Sequence, residues 1–440
     1  MIKIYKDYKT EEILSRKIDD YAEYEGIVKA IVADVAARGD EALREYSLKF
    51  DGYGGESLEV TEEEFAAAEE ALSGDYKAVV RASAENIAFF HKKQVKTGFE
   101  IQKAGGVILG QKYTPVSVAG VYVPGGTASY PSTVLMDIIP AKIAGVDKII
   151  MVTPVKSDGK VKPEILYAAR VAGADRVFKA GGAQAIAALA YGTESIPKAD
   201  VIVGPGNIFV ALAKKQVYGI VNVDMIAGPS EILVIADGKS NPVFVAADLL
   251  SQAEHDKLAS AVLVTDSEEL ALRVQEEIER QLCSMQRGEI ARASIENNGK
   301  IIICGSIEEA VDIANEIAPE HLEVCVDDPM PLLPKIRNAG SIFLGRYTPE
   351  ALGDYFAGPN HTLPTGGAAK FSSPLSVDDF VKKSSYIRYT EGELVKASDC
   401  VIKFAESEGL YGHANSVKVR VAASELSLIH ISEPTRLQLI

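Results

Sequence analysis

Short apolar segments rich in Val and Ile alternate with helical segments along most of this chain, and this alternation is its strongest constraint on the fold. A first series starts with an apolar strand at 116–123 and continues through strands at 148–152 and 199–203. A second series begins after Gly228 and ends with a strand at 341–344. Continuous apolar strands separated by amphipathic helices are typical of parallel sheets covered on both faces. The sequence therefore predicts an α/β protein with two such units.

The chain is too long for a single hydrophobic core. It has 440 residues, whereas single cores stop growing near about 250–300 residues. We predict a first α/β domain at 1–121 plus 231–377, with a second α/β domain at 122–230 inserted into it. A small, mostly helical domain is predicted at 378–426. Residues 427–440 show neither helical nor strand periodicity, and we interpret them as a non-native tail without a functional role.

The segment that precedes the first α/β series has a different pattern. Residues 1–95 carry apolar residues at helical spacing and predict a helical N-terminal lead-in. Residues 101–113 are divided by Gly105 and Gly106, which predicts a hairpin that delivers the chain to the first apolar strand.

Charge and composition limit the classes of partner. The formal net charge is −16, and no run of Lys and Arg offsets the repulsion that phosphate backbones would meet. The polar N-terminus does not match a signal peptide, and no stretch of about 18 apolar residues is present. We predict a cytoplasmic protein that binds neither nucleic acid nor membrane. The four cysteines form no C-x-x-C pair, so we expect buried free thiols.

A glutamine and a histidine three residues apart stand in the segment SQAEHD. The spacing places Gln252 and His255 on one face of a helix, where they could share a metal ion. A polar helix face without a ligand would show the same spacing, so this pair alone leaves both interpretations open.

Carboxylates and imidazoles also meet in two loop-like segments. In APEHLE, Glu320 and His321 are adjacent at a helix-to-strand junction, and an imidazole that titrates near pH 6.5 is a natural general base. In GDYFAGPNHTLPT, Asp354 and His361 flank a Gly-Pro turn that can aim both at one site. The alternatives are an exposed Glu-His pair and a turn closed by an Asx hydrogen bond.

Two glycine-containing turns are candidates for cofactor binding. The sequence lacks a G-x-G-x-x-G fingerprint, but VPGG at 123–126 and VGPGN at 203–207 each follow a predicted strand and precede a predicted helix. Glycines admit the close approach of a phosphate, and the amides of a helix N-terminus favour an anion.

Taken together, these segments resemble the histidinol dehydrogenase family over about residues 20–425. The resemblance rests on eight motifs, and every site position that it implies holds the residue type that the family uses. The motifs are VYVPGGTASYPST, FKAGGAQAIAALAYGT, VGPGN, GPSEILVIAD, SQAEHD, APEHLE, GDYFAGPNHTLPT and EGLYGHANSV.

The resemblance implies a fold, cofactors and site residues. The implied fold has two Rossmann-like parallel-sheet domains in an aldehyde-dehydrogenase-like arrangement. The cofactors are zinc and NAD, and Glu320 and His321 are the implied acid-base pair. The zinc ligands are Gln252, His255, Asp354 and His413. The NAD contacts are Tyr122, Gln184 and Asn207. The substrate contacts are Ser230, Gln252, His255, His321, Asp354, His361, Glu408 and His413.

The resemblance further implies a homodimer in which the C-terminal domain completes the neighbouring site, so that Glu408 and His413 act in trans. The implied reaction converts L-histidinol, two NAD and water to L-histidine and two NADH through a bound aldehyde, at the end of histidine biosynthesis. Alternatives are a related zinc and NAD dehydrogenase of another polar alcohol, such as a sulfonated diol, a zinc hydrolase without a nucleotide, and a metal-binding scaffold.

Overall fold

The structure is a computed structural model that describes residues 1–6, 8, 22–55, 57–125 and 130–432. The side chains of residues 22 and 425–432 lie outside the description. Contacts divide the chain into two compact units. The larger unit comprises 1–95 and 115–380, and the smaller comprises 96–114 and 381–440.

The described part of the larger unit holds twelve helices of ten or more residues. They are α1 (Ala22–Arg38), α2 (Asp40–Asp51), α3 (Glu62–Ala71), α4 (Gly74–His91), α5 (Pro131–Ala144), α6 (Pro163–Ala172), α7 (Gly182–Tyr191), α8 (Ile208–Val217), α9 (Pro242–Ala253), α10 (Glu268–Leu282), α11 (Gly288–Asn298) and α12 (Ile307–Ile317). Six of them begin with a side-chain cap. At α3, for example, the Thr61 hydroxyl accepts from the Glu64 backbone N–H while the Glu64 carboxylate accepts from that of Thr61.

Eleven described strands of this unit form two sheets, in which every assigned pairing is parallel. The six-stranded sheet has the order β1-β11-β10-β9-β12-β13, and the five-stranded sheet has the order β6-β5-β4-β7-β8. The strands of the first sheet are β1 (Lys3–Tyr5), β9 (Glu231–Ala236), β10 (Ser260–Thr265), β11 (Lys300–Ile303), β12 (His321–Cys325) and β13 (Ser341–Leu344). Those of the second are β4 (Val118–Tyr122), β5 (Lys148–Thr153), β6 (Arg176–Lys179), β7 (Val201–Val203) and β8 (Asn222–Val223).

Both sheets are buried on their two faces by helices. The central strands β9 and β5 consist almost entirely of buried residues, such as Val234 and Met151, each 0% exposed. This confirms the predicted fold class, because strands covered on both faces need the continuous apolar runs seen in the sequence.

The smaller unit contains a three-stranded sheet and two helices. Strands β2 (Phe99–Lys103) and β3 (Val107–Pro115) form an antiparallel hairpin around Gly105 and Gly106, as predicted. The third strand is β14 (Val381–Arg388), and the helices are α13 (Glu391–Ser407) and α14 (Tyr411–Ser432).

The structure differs from the sequence-based prediction at both ends of the chain. The lead-in is not helical throughout, since β1 at Lys3–Tyr5 pairs with β11. The C-terminal segment begins with strand β14, which lies beside β3, so the hairpin at 96–114 joins the C-terminal unit although the sequence placed it in the first α/β domain. The full set of predicted domain boundaries stays a prediction.

The cysteines are free thiols, but the expectation that all four are buried is wrong. Cys304 and Cys325 are buried, whereas Cys283 and Cys400 are exposed. Among the described residues, no helix is both long enough and apolar enough to cross a membrane.

Candidate functional site

His321 is the first residue of β12 and lies at the amino-terminal edge of the six-stranded sheet. It is 3% exposed. Its Nδ1 atom lies 3.1 Å from the carbonyl oxygen of Glu231, at the start of the neighbouring strand β9. A carbonyl oxygen only accepts, so Nδ1 carries the proton and donates. Nε2 is buried and has no hydrogen-bond partner among the residues that the structure describes.

The carboxyl group of Glu320 is placed by the same two strands. It is buried, and its Oε2 atom accepts from the backbone N–H of Glu231 at 2.8 Å. The same oxygen lies 3.7 Å from His321 Nδ1. Burial raises the pKa of Glu320 to about 7, although the His321 charge opposes this. The carboxyl can therefore exchange a proton near neutral pH.

Asp354 connects two imidazoles. It lies in the π-helical turn Gly353–Ala357, and its Oδ1 atom lies 3.8 Å from His321 Nε2 and 3.7 Å from His361 Nδ1. Burial opposes its ionisation, but the nearby His321 and His361 lower the pKa of Asp354 below its usual range. Asp354 is therefore an anion at neutral pH, able to bind a cation.

The ring of His361 lies between a backbone carbonyl oxygen and a side-chain hydroxyl. Its Nδ1 donates to the Asp354 carbonyl oxygen at 3.1 Å, and its Nε2 lies 3.2 Å from the Thr133 hydroxyl of α5. Burial lowers the pKa of His361, which favours the neutral ring. The structure thus brings His361 to Asp354 across the Gly-Pro turn, and their roles in a site stay predictions.

Gln252 and His255 lie at the end of α9. Gln252 is 1% exposed, and its Oε1 atom is buried without a partner in the described part of the chain. Burial lowers the pKa of His255, while the charge of Asp354 partly restores it. An unpaired buried oxygen is costly unless a ligand satisfies it.

Glu350 is a site residue that the sequence analysis missed. It is 2% exposed, its Oε1 lies 3.9 Å from His321 Nε2, and its Oε2 accepts from the Ser251 hydroxyl at 3.3 Å. One ring nitrogen of His321 and one carboxylate oxygen each of Glu350 and Asp354 all lie within 4.8 Å of one another. The spacing of four between Glu350 and Asp354 is the sequence signal that could have identified it, since it places both on one helical face.

The predicted NAD contacts belong to the other sheet. Tyr122 ends β4, and its hydroxyl accepts from the backbone N–H of Gly182 at 3.2 Å, in the first turn of the helix that carries Gln184. Asn207 follows β7, which pairs with β4, and its Oδ1 accepts from Phe209 and Val210 at the start of α8. The two candidate turns therefore leave neighbouring strands at one edge. Gly126, in the first turn, lies outside the described residues.

The remaining predicted substrate contacts divide between the two compact units. Ser230 precedes β9, and its carbonyl oxygen accepts from Ser260 at 2.9 Å. Glu408 follows α13 and His413 lies in the first turn of α14, both exposed in the smaller unit. Participation of Glu408 and His413 in the site stays a prediction.

The chain is similar to known proteins along almost its whole length. The profile of the family described as histidinol dehydrogenase matches residues 14–421. A histidinol dehydrogenase from Clostridium acetobutylicum is 55% identical over 410 residues, 93% of this chain and 95% of the relative. One from Lactococcus lactis subsp. lactis is 53% identical over 412 residues, 93% and 96% of the two chains. A crystal structure of histidinol dehydrogenase from Elizabethkingia anophelis superposes with a TM-score of 0.92 at 37% identity, covering 96% of this chain and 99% of that one.

Proposed function

Because the chain belongs to the histidinol dehydrogenase family, NAD-dependent oxidoreductases of histidine biosynthesis, we propose that it oxidises L-histidinol to L-histidine with two NAD and water. The observation that carries this proposal is His321, whose Nδ1 is held by the Glu231 carbonyl while its Nε2 is buried without a partner beside Glu350 and Asp354. The fixed tautomer leaves one nitrogen unengaged, as a general base requires. The neighbouring carboxylates raise the pKa of His321 to about 10, and a cation bound at Asp354 would counter their charge and favour the neutral ring.

The donor atoms at this site fit a divalent metal ion. Family membership implies zinc in general, and Gln252 Oε1 is a buried oxygen that lacks a partner in the described chain. Imidazole nitrogen and carboxylate oxygen are common zinc ligands. We assign Gln252, His255 and Asp354 of one chain as ligands, with His413 from a second copy.

A homodimer is part of the proposal, since Glu408 and His413 would complete the neighbouring site. Both are exposed in the smaller unit, which also exposes apolar side chains, with Phe404 at 71% and Tyr411 at 69%. A unit of this size buries little surface by itself and gains stability by docking on a partner.

The residues of the chain divide the chemistry between them. His321 Nε2 takes the proton of the alcohol, and Glu320 then activates the water that hydrates the aldehyde. Bound zinc would orient and polarise the substrate oxygen, and bound NAD would accept hydride in each of the two oxidation steps. Ser230, His361 and the partner subunit's Glu408 orient the substrate, and Tyr122, Gln184 and Asn207 hold the cofactor. No cysteine is assigned a role, since the Cys325 thiol is buried and its pKa is raised well above its usual range by burial.

The proposed setting is the cytoplasm, where reducing conditions keep cysteines as the free thiols seen here. The proposed small-molecule substrate is L-histidinol.

The test is the formation of NADH when histidinol and NAD are added, with its yield per histidinol measured before and after chelation. Two NADH per histidinol, lost on chelation and restored by zinc, is the expected result. NADH formed from a sulfonated diol but not from histidinol would refute the substrate, and hydrolysis without NADH would refute the reaction class.

A further inference from the structure

We propose that Asp137 is a positioning residue, a buried carboxyl group that holds the loop of His361 and the turn of Gly204 in one fixed relation. The inference rests on the proposed function, which assigns substrate contact to His361 and NAD contact to Asn207, three residues after Gly204. Asp137 belongs to α5 and is 0% exposed.

One side of α5 contacts three consecutive residues, 360–362, of the loop that carries His361. The Asp137 Oδ1 atom accepts from the Thr362 hydroxyl at 2.8 Å, and the Thr133 hydroxyl lies 3.2 Å from His361 Nε2. Between them, the carbonyl oxygen of Met136 accepts from the Asn360 side chain at 2.6 Å. Since one helix turn makes all three contacts, a shift of α5 moves the His361 ring.

The second oxygen of Asp137 faces Gly204, in the VGPGN turn that is a candidate for cofactor binding. A β-carbon at Gly204 would lie 2.9 Å from Asp137 Oδ2 and would overlap the carbonyl oxygen of Tyr122. Gly204 also has φ +110, a region open to glycine. The turn therefore packs directly against the carboxyl of Asp137, with no room for a side chain.

Gly204 itself is fixed from its other side. Its N–H donates to Asp224 Oδ2 at 2.8 Å, and its carbonyl oxygen accepts from Lys214 Nζ at 2.5 Å. Lys214 and Asp224 form an ion pair of 2.6 Å whose side chains are only 3% and 1% exposed. These buried contacts fix the turn to Lys214 and Asp224, and the carboxyl of Asp137 is the contact that fixes its position relative to α5.

The protonation state of Asp137 suits a buried group that positions its neighbours without carrying a charge. Oδ2 is buried and makes no hydrogen bond to any residue that the structure describes. Burial raises the pKa of Asp137 to about 8, with a further contribution from the Asp224 charge. At neutral pH the group is therefore mainly a protonated acid, which an amide of the same shape can replace.

The experiment compares four variants of the full-length enzyme. Asp137→Ala removes the link, Asp137→Asn keeps its shape, and Thr362→Val removes only the hydroxyl on the substrate side. Ser294→Ala is the matched control, because it removes a buried hydroxyl that donates to Ala259 at 2.8 Å. KM for histidinol and NAD is measured by NADH formation, the Kd of NAD by calorimetry and Tm by thermal melting.

Asp137→Ala is expected to raise KM for both histidinol and NAD by about 10-fold, since small misplacements of bound groups are costly. Asp137→Asn should restore both values to within about 2-fold, and Thr362→Val should raise KM for histidinol only. Ser294→Ala should lower Tm without changing either KM. If Asp137→Ala changes KM no more than Ser294→Ala does at a similar loss of Tm, the inference is overturned. A wild-type enzyme that forms no NADH from histidinol would instead refute the proposed function, and the Kd of NAD in the same variants would still test the link.

Discussion

The Nδ1 atom of His321 donates to the carbonyl oxygen of Glu231 at 3.1 Å, because parallel strands β9 and β12 pair His321 with Ile232, the residue that follows Glu231. Main chain rather than a mobile side chain therefore sets the tautomer and leaves Nε2 for the substrate. This arrangement uses the sheet to position the base.

His321→Asn should lower kcat by about 100- to 10,000-fold. Its amide can still donate to the Glu231 carbonyl, but it cannot accept a proton as a base, so folding and zinc content should not change. The measurement is kcat together with zinc per subunit. His255→Asn is the contrasting variant and should lose zinc, whereas loss of zinc from His321→Asn would contradict its assignment as a base.

Glu350→Gln should shift the acid limb of the pH profile of kcat/KM to lower pH. Burial lowers the pKa of His321, but the carboxylates of Glu320, Asp354 and Glu350 raise it to about 10. Burial raises the pKa of Glu350 itself to about 8, so its charge acts on the imidazolium in the upper part of the profile. Its removal there destabilises the imidazolium, so the neutral base persists to lower pH. The exposed Glu69→Gln serves as the control and should leave the profile unchanged. An acid limb that moves to higher pH in Glu350→Gln would contradict the prediction.

Mixing inactive variants tests whether two copies share each site. His413→Asn and His321→Asn should each be nearly inactive, but after subunit exchange half of a random mixture is heterodimer with one intact site of two. Activity should therefore recover to about one quarter of the wild-type value. Mass spectrometry verifies that the subunits have exchanged. If activity does not recover in such an exchanged mixture, the arrangement in trans is excluded.

The difference in stability between Asp137→Asn and the wild type should shift in favour of the variant as the pH rises from about 4 to about 8. The folded pKa of Asp137 is about 8, against about 3.9 for an unfolded chain. Between these values the unfolded state releases a proton that the folded state keeps, so wild-type stability falls with pH, by up to about 1.4 kcal/mol per pH unit. The amide does not titrate. Tm of both proteins at pH 5, 6, 7 and 8 measures the gap, and a gap that is constant or shrinks with pH would exclude the raised pKa.

Much of the fold could be predicted because its signal is local. Each strand of the two parallel sheets needs a continuous apolar run, and β13 spans Ser341–Leu344, the range predicted for the last strand. The pairing of the three-residue strand β1 and the packing of β3 beside β14 depend on residues far apart in the chain. Neither leaves a periodic pattern, so neither could be predicted.

The residues of the candidate site likewise divide into those with a local sequence signal and those that only the three-dimensional packing reveals. Glu320, His321, Asp354 and His361 stand in short segments whose residue types already indicate chemistry. Glu350 has only its spacing of four from Asp354 as a sequence signal, and burial beside Ser251 and His321 makes it part of the site. Asp137 likewise reads as a polar residue in an apolar helix until Thr362, 225 residues later in the chain, donates to it.

Adjacent lysines of α8 allow a direct test of burial. Lys214 pairs with Asp224 at side-chain exposures of 3% and 1%, whereas Lys215 pairs with Glu25 at 56% and 45%. Lys214→Met should lower the free energy of unfolding by about 3–5 kcal/mol, because it leaves the Asp224 charge buried without compensation and frees the carbonyl of Gly204. Lys215→Met should change it by less than about 1 kcal/mol, since water already solvates that pair. Urea denaturation of both variants gives the two values, and Lys214→Met should also weaken NAD binding because it loosens the turn before Asn207. Equal stability of the two variants would show that the contacts of Lys214 with Gly204 and Asp224 do not contribute to the fold.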